Sequence, residues 1–289
     1  MNRKCFAKIN LTLDSLYKRD DSYHEIDTIM ARISLFDELE IIPNDRGIFN
    51  YSSNLETICP VEDNLIYKAW EILKEKTENP GVDVYLKKNI PLAAGLAGGS
   101  TDAAEMIKGL NELWNLNLSK KQMMEIGKKL GADIPFFFEN SPARAKGIGE
   151  ILFPFENNLD MKILLVNDGT EISSAEVYKK LRDFGHVEND LIVEKLKKGD
   201  HSAIFYFENV MEDVVTDMYP HLLDLKYEFL EYGAEVTLIS GSGASIFGIF
   251  MDDESLEFAY KKMSEKYEFV KKVELLWQIL VYLILALVD

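Results

Sequence analysis

The sequence predicts a two-domain protein of mixed helices and strands, α+β in class. Three observations carry this. A glycine-rich stretch from Asn89 to Asp102 runs into an amphipathic helix, segments before it alternate apolar and polar residues as strands do, and a fresh succession of strand, helix and glycine turn begins after Pro154. With 289 residues, 47% of them hydrophobic, the chain can build one large or two ordinary domains with substantial cores. The expected division is residues 1–153, residues 154–272 and an apolar tail at 273–289.

From Cys5 to Asp14, apolar Ala7, Ile9, Leu11 and Leu13 alternate with Lys8, Asn10 and Thr12, the period of a strand whose polar face carries Lys8 and Asn10 together. Taken alone, the same pattern fits a half-exposed edge strand. Asp20-Asp21-Ser22 form a turn before Tyr23-His24-Glu25, and Asp37 to Ile42 reads as a further strand. Asp63 is placed to cap a helix whose buried face is Leu65, Ile66, Ala69, Trp70 and Ile72. Val82 to Lys88 alternates as a strand leading into the glycine stretch, where Lys88 by itself fits a solvated strand end.

Gly95, Gly98 and Gly99 let backbone approach a ligand closely, and Ser100, Thr101 and Asp102 offer capping side chains to the helix that follows. Its Ala103, Ile107, Leu110 and Trp114 recur at three- and four-residue steps, so one stripe packs while the free N–H groups at its start face an anion, phosphate above all. The stretch lacks the Gly-Lys-Ser/Thr of a Walker loop and the glycine order of a dinucleotide fold, which excludes both.

Ser119 and Gln122 make a capping box for a helix that stops at Leu130-Gly131. Asp133 follows, beside Ile134 and Phe136-Phe137-Phe138; a carboxylate there is expected to be buried and to need a partner, for which Lys8 is the nominee. Beyond Pro154, Met161 to Val166 reads as a buried strand, Ser173 and Glu176 as a capping box for a helix through Leu181, and residues near 190–208 and 219–232 as helices. Val236–Ile239 and Ile246–Phe250 are strands joined by Ser240-Gly241-Ser242-Gly243-Ala244, whose amides could cap phosphates.

The tail from Val273 to Val288 is interrupted only by Glu274 and Gln278 among its otherwise Leu-, Ile- and Val-rich positions. As a helix it would reach about 24 Å, short of a bilayer core of about 30 Å, so no membrane span is expected. Burial against the rest of the chain or self-association, as in a homodimer, would cover it.

A formal charge of −17 opposes nucleic acid and anionic membranes as partners. Anionic small molecules then require local positive charge, which draws attention to Lys8, Lys87, Lys88 and helix starts. Cys5 and Cys59 are far apart without metal-ligand spacing, and the first residues lack a sustained apolar run, so a reducing cytoplasmic setting without a signal peptide is expected.

Pro91-x-x-x-Gly95-Leu96-Ala97-Gly98-Gly99-Ser100-Thr101-Asp102-Ala103-Ala104 resembles the phosphate loop of the GHMP small-molecule kinases. Further segments resemble that family in its own order: Ala7-Lys8-Ile9-Asn10-Leu11, Tyr23-His24-Glu25, Asp63-Asn64-Leu65-Ile66, Gly131-Ala132-Asp133-Ile134-Pro135, Ala143 to Glu150, Ser173 to Tyr178 and Ser240 to Ala244. Each is weak alone, but the order is specific, and the likeness runs from about residue 5 to 272. It implies a ribosomal-S5-like N-terminal domain and a ferredoxin-like C-terminal domain. The implied activity is transfer of the γ-phosphoryl group of ATP, with Mg²⁺, to the 2-hydroxyl of 4-diphosphocytidyl-2-C-methyl-D-erythritol, a step in non-mevalonate isoprenoid synthesis. Another acceptor of the family (mevalonate, homoserine or a sugar) and a binder without catalysis are the alternatives.

Carried over by the resemblance, Asp133 and Lys8 are the catalytic pair; Asn10, Tyr23, His24 and Tyr178 meet the acceptor, the two tyrosines stacking on cytosine while His24 reads its edge. The nucleotide would meet Asn64 and Lys88, and the loop from Pro91 through Gly95, Leu96, Ala97, Gly98 and Gly99 to Ser100 and Thr101, one of the last two near the metal. Two departures mark this chain: Ser22 stands where glycine, which permits a positive φ, is usual, and Asn140-Ser141-Pro142 replaces paired glycines.

Overall fold

The computed structural model describes residues 1–55, 59–182 and 184–276. In chain order the elements are β1 (Asn2–Lys18), β2 (His24–Pro43), β3 (Phe49–Ser53), α1 (Leu65–Leu73), β4 (Val82–Lys87), α2 (Gly98–Leu113), α3 (Lys120–Leu130), β5 (Ala143–Gly147), β6 (Ile151–Pro154) and β7 (Lys162–Asn167). There follow α4 (Ser174–Lys180), α5 (Asn189–Lys198), α6 (Glu212–Met218), α7 (His221–Glu231), β8 (Val236–Ile239), β9 (Ile246–Phe250), α8 (Asp253–Ser264) and β10 (Phe269–Val273). Helices and strands are intermixed, as an α+β chain requires. They group into two compact units that interleave in sequence.

The first unit comprises residues 1–7, 35–90 and 97–140. Its part of β2 pairs antiparallel with β4, Glu38 opposite Lys87 and Pro43 opposite Val82, and β4 runs parallel to β3. Helices α1, α2 and α3 pack on one another through apolar stripes that include Ala69, Leu73, Ile107 and Leu110, all fully buried. The cap of α1 is Asn64, whose side chain accepts the Ile66 N–H at 2.9 Å; Asp63, the expected cap, falls in the preceding 3₁₀ turn. The Ser119–Gln122 capping box forms as expected.

Helix α2 corrects the sequence reading. Ala97 takes a left-handed backbone, φ +53°, and starts the helix at Gly98 without a side-chain cap, so Ser100, Thr101 and Asp102 lie inside the helix rather than at its cap. Thr101 and Asp102 are buried there.

The second unit comprises residues 8–34, 91–96 and 141–289, described as far as 276. The first half of β2 pairs with β5, Ile26 opposite Gly147 and Met30 opposite Ala143, and β5 pairs with β6. A four-stranded antiparallel sheet in the order β10-β7-β9-β8 supports a core of Leu164, Val166, Phe229, Ile246 and Phe250. In β1 both faces are buried, Lys8 at 4% exposure and Asn10 at 2%, which removes the half-exposed reading. Thr12 shows why: its hydroxyl is taken by Asn189 at the start of α5, so the polar face is covered by this unit's own chain.

Elsewhere in this unit the helices are shorter than the sequence suggests. Ser173 precedes α4 without a side-chain cap, and α4 ends at Lys180. The expected helix near 190–208 divides at Gly199, φ +66°, into α5 and a 3₁₀ turn over His201–Tyr206. Val273 closes β10 opposite Ile163, and Leu275 forms a single bridge to Ile33, so the apolar tail begins as paired backbone. From Trp277 onward the tail, and with it the expected burial or self-association, lies outside the described residues. Among the described residues no helix is long and apolar enough to cross a membrane.

Candidate active site

Lys8 and Asn10 sit two residues apart on β1, so the strand period puts them on one face. The Lys8 ammonium donates to Asn10 Oδ1 at 2.5 Å, Asn10 Nδ2 donates to Thr28 Oγ1 at 2.8 Å, and the Thr28 hydroxyl donates to the Thr12 carbonyl. A buried ammonium and amide held in this way have fixed orientations. The Asn10 N–H donates to Ser240 Oγ at 3.2 Å, and that hydroxyl donates to the Gly95 carbonyl at 3.0 Å. The Lys8 N–H bonds the Leu96 carbonyl at 3.1 Å. The opening strand, the start of the glycine loop and the Ser240–Ala244 turn, three separate motifs in sequence, thus meet in the second unit.

The glycine loop has a backbone rhythm that composition does not reveal. Positive φ recurs at every second residue, Ala93 at +48°, Gly95 at +73° and Ala97 at +53°. Such reversals turn successive N–H groups toward one side, the geometry of an anion-binding nest, and α2 adds the open N–H groups of its first turn. The glycines differ in what they serve. A Cβ at Gly95 would lie 1.9 Å from the Ser240 carbonyl oxygen, and one at Gly98 would press on Lys88 Nζ at 3.0 Å and Ile90 at 3.1 Å. At Gly99 it would meet, among the described residues, only Leu65 Cδ1, at 3.8 Å. Pro91 and Ser100 are half-buried, and Leu96 is buried.

Lys88 is not the solvated strand end that its position suggested. Its side chain is 3% exposed and its ammonium bonds both Asp37 and Asp102, the latter at 2.9 Å. Burial pushes the Asp102 carboxyl up to about 7, against the pull of Lys88 and with the push of the like-charged Asp37. Asn64, besides capping α1, is half-buried.

Ser22 keeps the left-handed backbone, φ +71°, that the usual glycine would supply, so the turn before Tyr23 is retained with a side chain in place. Tyr23 is 60% exposed, whereas His24 is buried. His24 stacks on Tyr178, ring centroids 5.2 Å apart at 25°, and on Phe184, 6.1 Å apart at 15°. Burial, aided by Lys18, holds the imidazole below its usual range. Phe184 is a member of this aromatic group that sequence reasoning missed. Its signal is Asp14, a buried carboxylate on β1 that accepts the N–H groups of Gly185 and Val187, each at 3.0 Å, and so anchors the segment bearing Phe184.

Asp133 lies in the first unit, half-buried, just before a 3₁₀ turn over Ile134–Phe138. The turn is held by backbone bonds, and the Asp133 side chain does not cap it. Phe136, Phe137 and Phe138 are buried, fixing the segment in place. Among the described residues there is no cluster of three or more His, Cys, Asp or Glu side chains able to hold a metal.

Comparison with known proteins identifies the fold and its family. Residues 64–140 match the model of the GHMP kinases N terminal domain, and residues 192–268 that of the GHMP kinases C terminal domain. The 4-diphosphocytidyl-2-C-methyl-D-erythritol kinase of Thermoanaerobacter pseudethanolicus is 44% identical over 272 residues, 92% of this chain and 93% of that protein. The kinase of the same name from Alkaliphilus metalliredigens is 39% identical over 271 residues, again 92% and 93%. A crystal structure of 4-(cytidine 5'-diphospho)-2C-methyl-D-erythritol kinase matches at a TM-score of 0.82 and 29% identity, covering 95% of this chain and 99% of that one. The chain therefore belongs to the GHMP kinases, ATP-dependent kinases of small molecules.

Proposed function

We propose that the protein transfers the γ-phosphoryl group of ATP to the 2-hydroxyl of 4-diphosphocytidyl-2-C-methyl-D-erythritol, in non-mevalonate isoprenoid precursor synthesis. The observation that carries this reading is the full-length likeness to kinases of that name, at 44% identity over nine-tenths of both chains. The geometry supports it at both ends of the chemistry: a buried ammonium–amide pair, Lys8 and Asn10, and an aromatic group around His24 suited to a pyrimidine. The matched segments at 64–140 and 192–268 fall on either side of the proposed domain division at residue 153.

In the transfer, the acceptor oxygen bonds to the γ-phosphorus while the bond from that phosphorus to the β–γ bridging oxygen breaks, releasing ADP. The transition state is loose, so alignment and neutralised charge matter more than a strong base. Asp133 orients the hydroxyl and takes its proton as attack proceeds, and Lys8 offsets the charge. Asn10 holds the Lys8 ammonium in place. The amides of the loop from Pro91 to Ser100 cradle the β- and γ-phosphates.

Magnesium supplies charge neutralisation on the phosphates. The donor set fits an ion that arrives on the nucleotide and keeps most of its waters: phosphate oxygens and the hydroxyl of half-buried Ser100. Thr101, 1% exposed, is the poorer candidate. On the acceptor side, His24, Tyr178 and Phe184 form one wall of the cytosine site and exposed Tyr23 is available to close over it. Incubation with ATP and the cytidine substrate should release ADP and yield a product whose new phosphorus signal couples to the tertiary carbinol centre. ADP release independent of the acceptor, or phosphate on another oxygen, would overturn the reading.

A further inference from the structure

Asp37, Lys88 and Asp102 form a buried cluster in the first unit, their side chains 0%, 3% and 4% exposed. Two carboxylates share one ammonium, and each carboxylate is bound to a different end of the same chain segment. Asp37 Oδ1 accepts the N–H groups of Asn89 at 2.5 Å and Ile90 at 2.8 Å, which fixes the point where the chain leaves β4 for the glycine loop. Asp102 is the fifth residue of α2, just past the point where the chain leaves the loop. Its Oδ2 accepts from Lys88 Nζ at 2.9 Å, and its Oδ1 is buried without a hydrogen-bond partner among the described residues. Lys88 is thus the cation that ties this helical carboxylate to the strand end before the loop. Beneath Gly98 the same ammonium lies 3.0 Å from where a Cβ would stand, so it also supports the first helical residue.

We infer that Lys88, Asp37 and Asp102 act as a clasp that ties the two ends of the phosphate loop together and pre-sets its amides for triphosphate, Lys88 being a positioning residue rather than a nucleotide contact. The inference rests on the reading that this loop binds ATP. A loop whose ends are fixed loses less freedom when the ligand orders it, which strengthens nucleotide binding without touching the nucleotide. Asp37, with no exposed side-chain surface, does not reach a bound nucleotide directly.

The test is nucleotide titration and steady-state kinetics on Asp37→Asn, Asp102→Asn and Lys88→Met. Asp37→Asn can keep the oxygen that accepts the Asn89 and Ile90 amides while the charged oxygen facing Lys88 becomes an NH2 donor, which breaks that contact. The clasp predicts that each variant weakens ATP binding about tenfold, leaves KM for the acceptor within about twofold, and speeds hydrogen exchange of amides 91–97 in the free enzyme. Combining Asp37→Asn with Lys88→Met should add little, because either change alone opens the clasp. Where a single change leaves a buried charge that prevents folding, the neutral triple variant, of nearly the same shape, carries the same expectation for ATP binding. Folded Asp37→Asn with unchanged ATP affinity, or loss of ATP binding in Lys88→Met alone, would overturn the clasp. ATP binding is measured without the acceptor, so failure of the substrate assignment leaves this test intact.

Discussion

Gly99 separates what the fold needs from what the ligand needs. A helix normally gains about 0.5–1 kcal/mol when glycine becomes alanine. At Gly99 none of the described residues forbids the exchange: the position is exposed, its φ is not left-handed, and among the described residues an added Cβ finds only Leu65 Cδ1 at 3.8 Å. Gly99→Ala should therefore raise stability, by up to about 1 kcal/mol, or roughly 2–4 °C in Tm for a chain of this size. If triphosphate lies against the first turn of α2, the same Cβ enters its space and KM for ATP should rise about tenfold, with Gly99→Val worse again. Gly95→Ala is the contrasting control, since its Cβ would stand 1.9 Å from the Ser240 carbonyl oxygen at φ +73°. That variant should lose about 2 kcal/mol or more of stability. Thermal melts and ATP titrations of the three variants decide the matter. A more stable Gly99→Ala with unaltered ATP binding would refute the placement of phosphate on this turn.

Three further outcomes are expected. Asp133→Asn should lower kcat by about 10²–10⁴ with ATP affinity retained, as stopped-flow or coupled kinetics would show; near-normal turnover removes Asp133 from the reaction. Phe184→Ala and Tyr178→Ala should each lower kcat/KM for the cytidine substrate by about ten- to a hundredfold and leave ATP binding alone, and equal losses for both ligands would argue against a cytosine wall. His24, held below the usual 6.5 by burial, takes up its proton less readily in the native state than in the unfolded chain. Its contribution to stability is therefore complete above pH 6.5 and is lost as pH falls toward the native value; an NMR titration placing the His24 midpoint above 6.5 would contradict this.

The sequence carried the site's ingredients better than their surroundings. Periodicity put Lys8 and Asn10 on one strand face, but it could not show that Thr12 and Asn189 bury that face, because the covering residue lies far along the chain. The same limit applies to Lys88, whose partners Asp37 and Asp102 come from a distant strand and from the helix beyond the loop. Helix starts were legible where a side chain does the capping, as at Ser119, and displaced where backbone alone does it, as at Ala97. Ser22 shows that a left-handed turn can persist without glycine. Phe184 belongs to no motif: it stacks on His24, and the segment that bears it is anchored by Asp14, a residue far back in the chain.

The measurement that bears most directly on the central claim is the acceptor panel. With ATP and magnesium at saturation, kcat/KM is compared for 4-diphosphocytidyl-2-C-methyl-D-erythritol, methylerythritol 4-phosphate, mevalonate and homoserine under identical conditions. Binding energy from the remote cytidine end is expected to appear in turnover as well as in KM, so the cytidine substrate should exceed each of the others by at least about a hundredfold. Comparable turnover of mevalonate or homoserine would contradict the substrate assignment while leaving the kinase family in place.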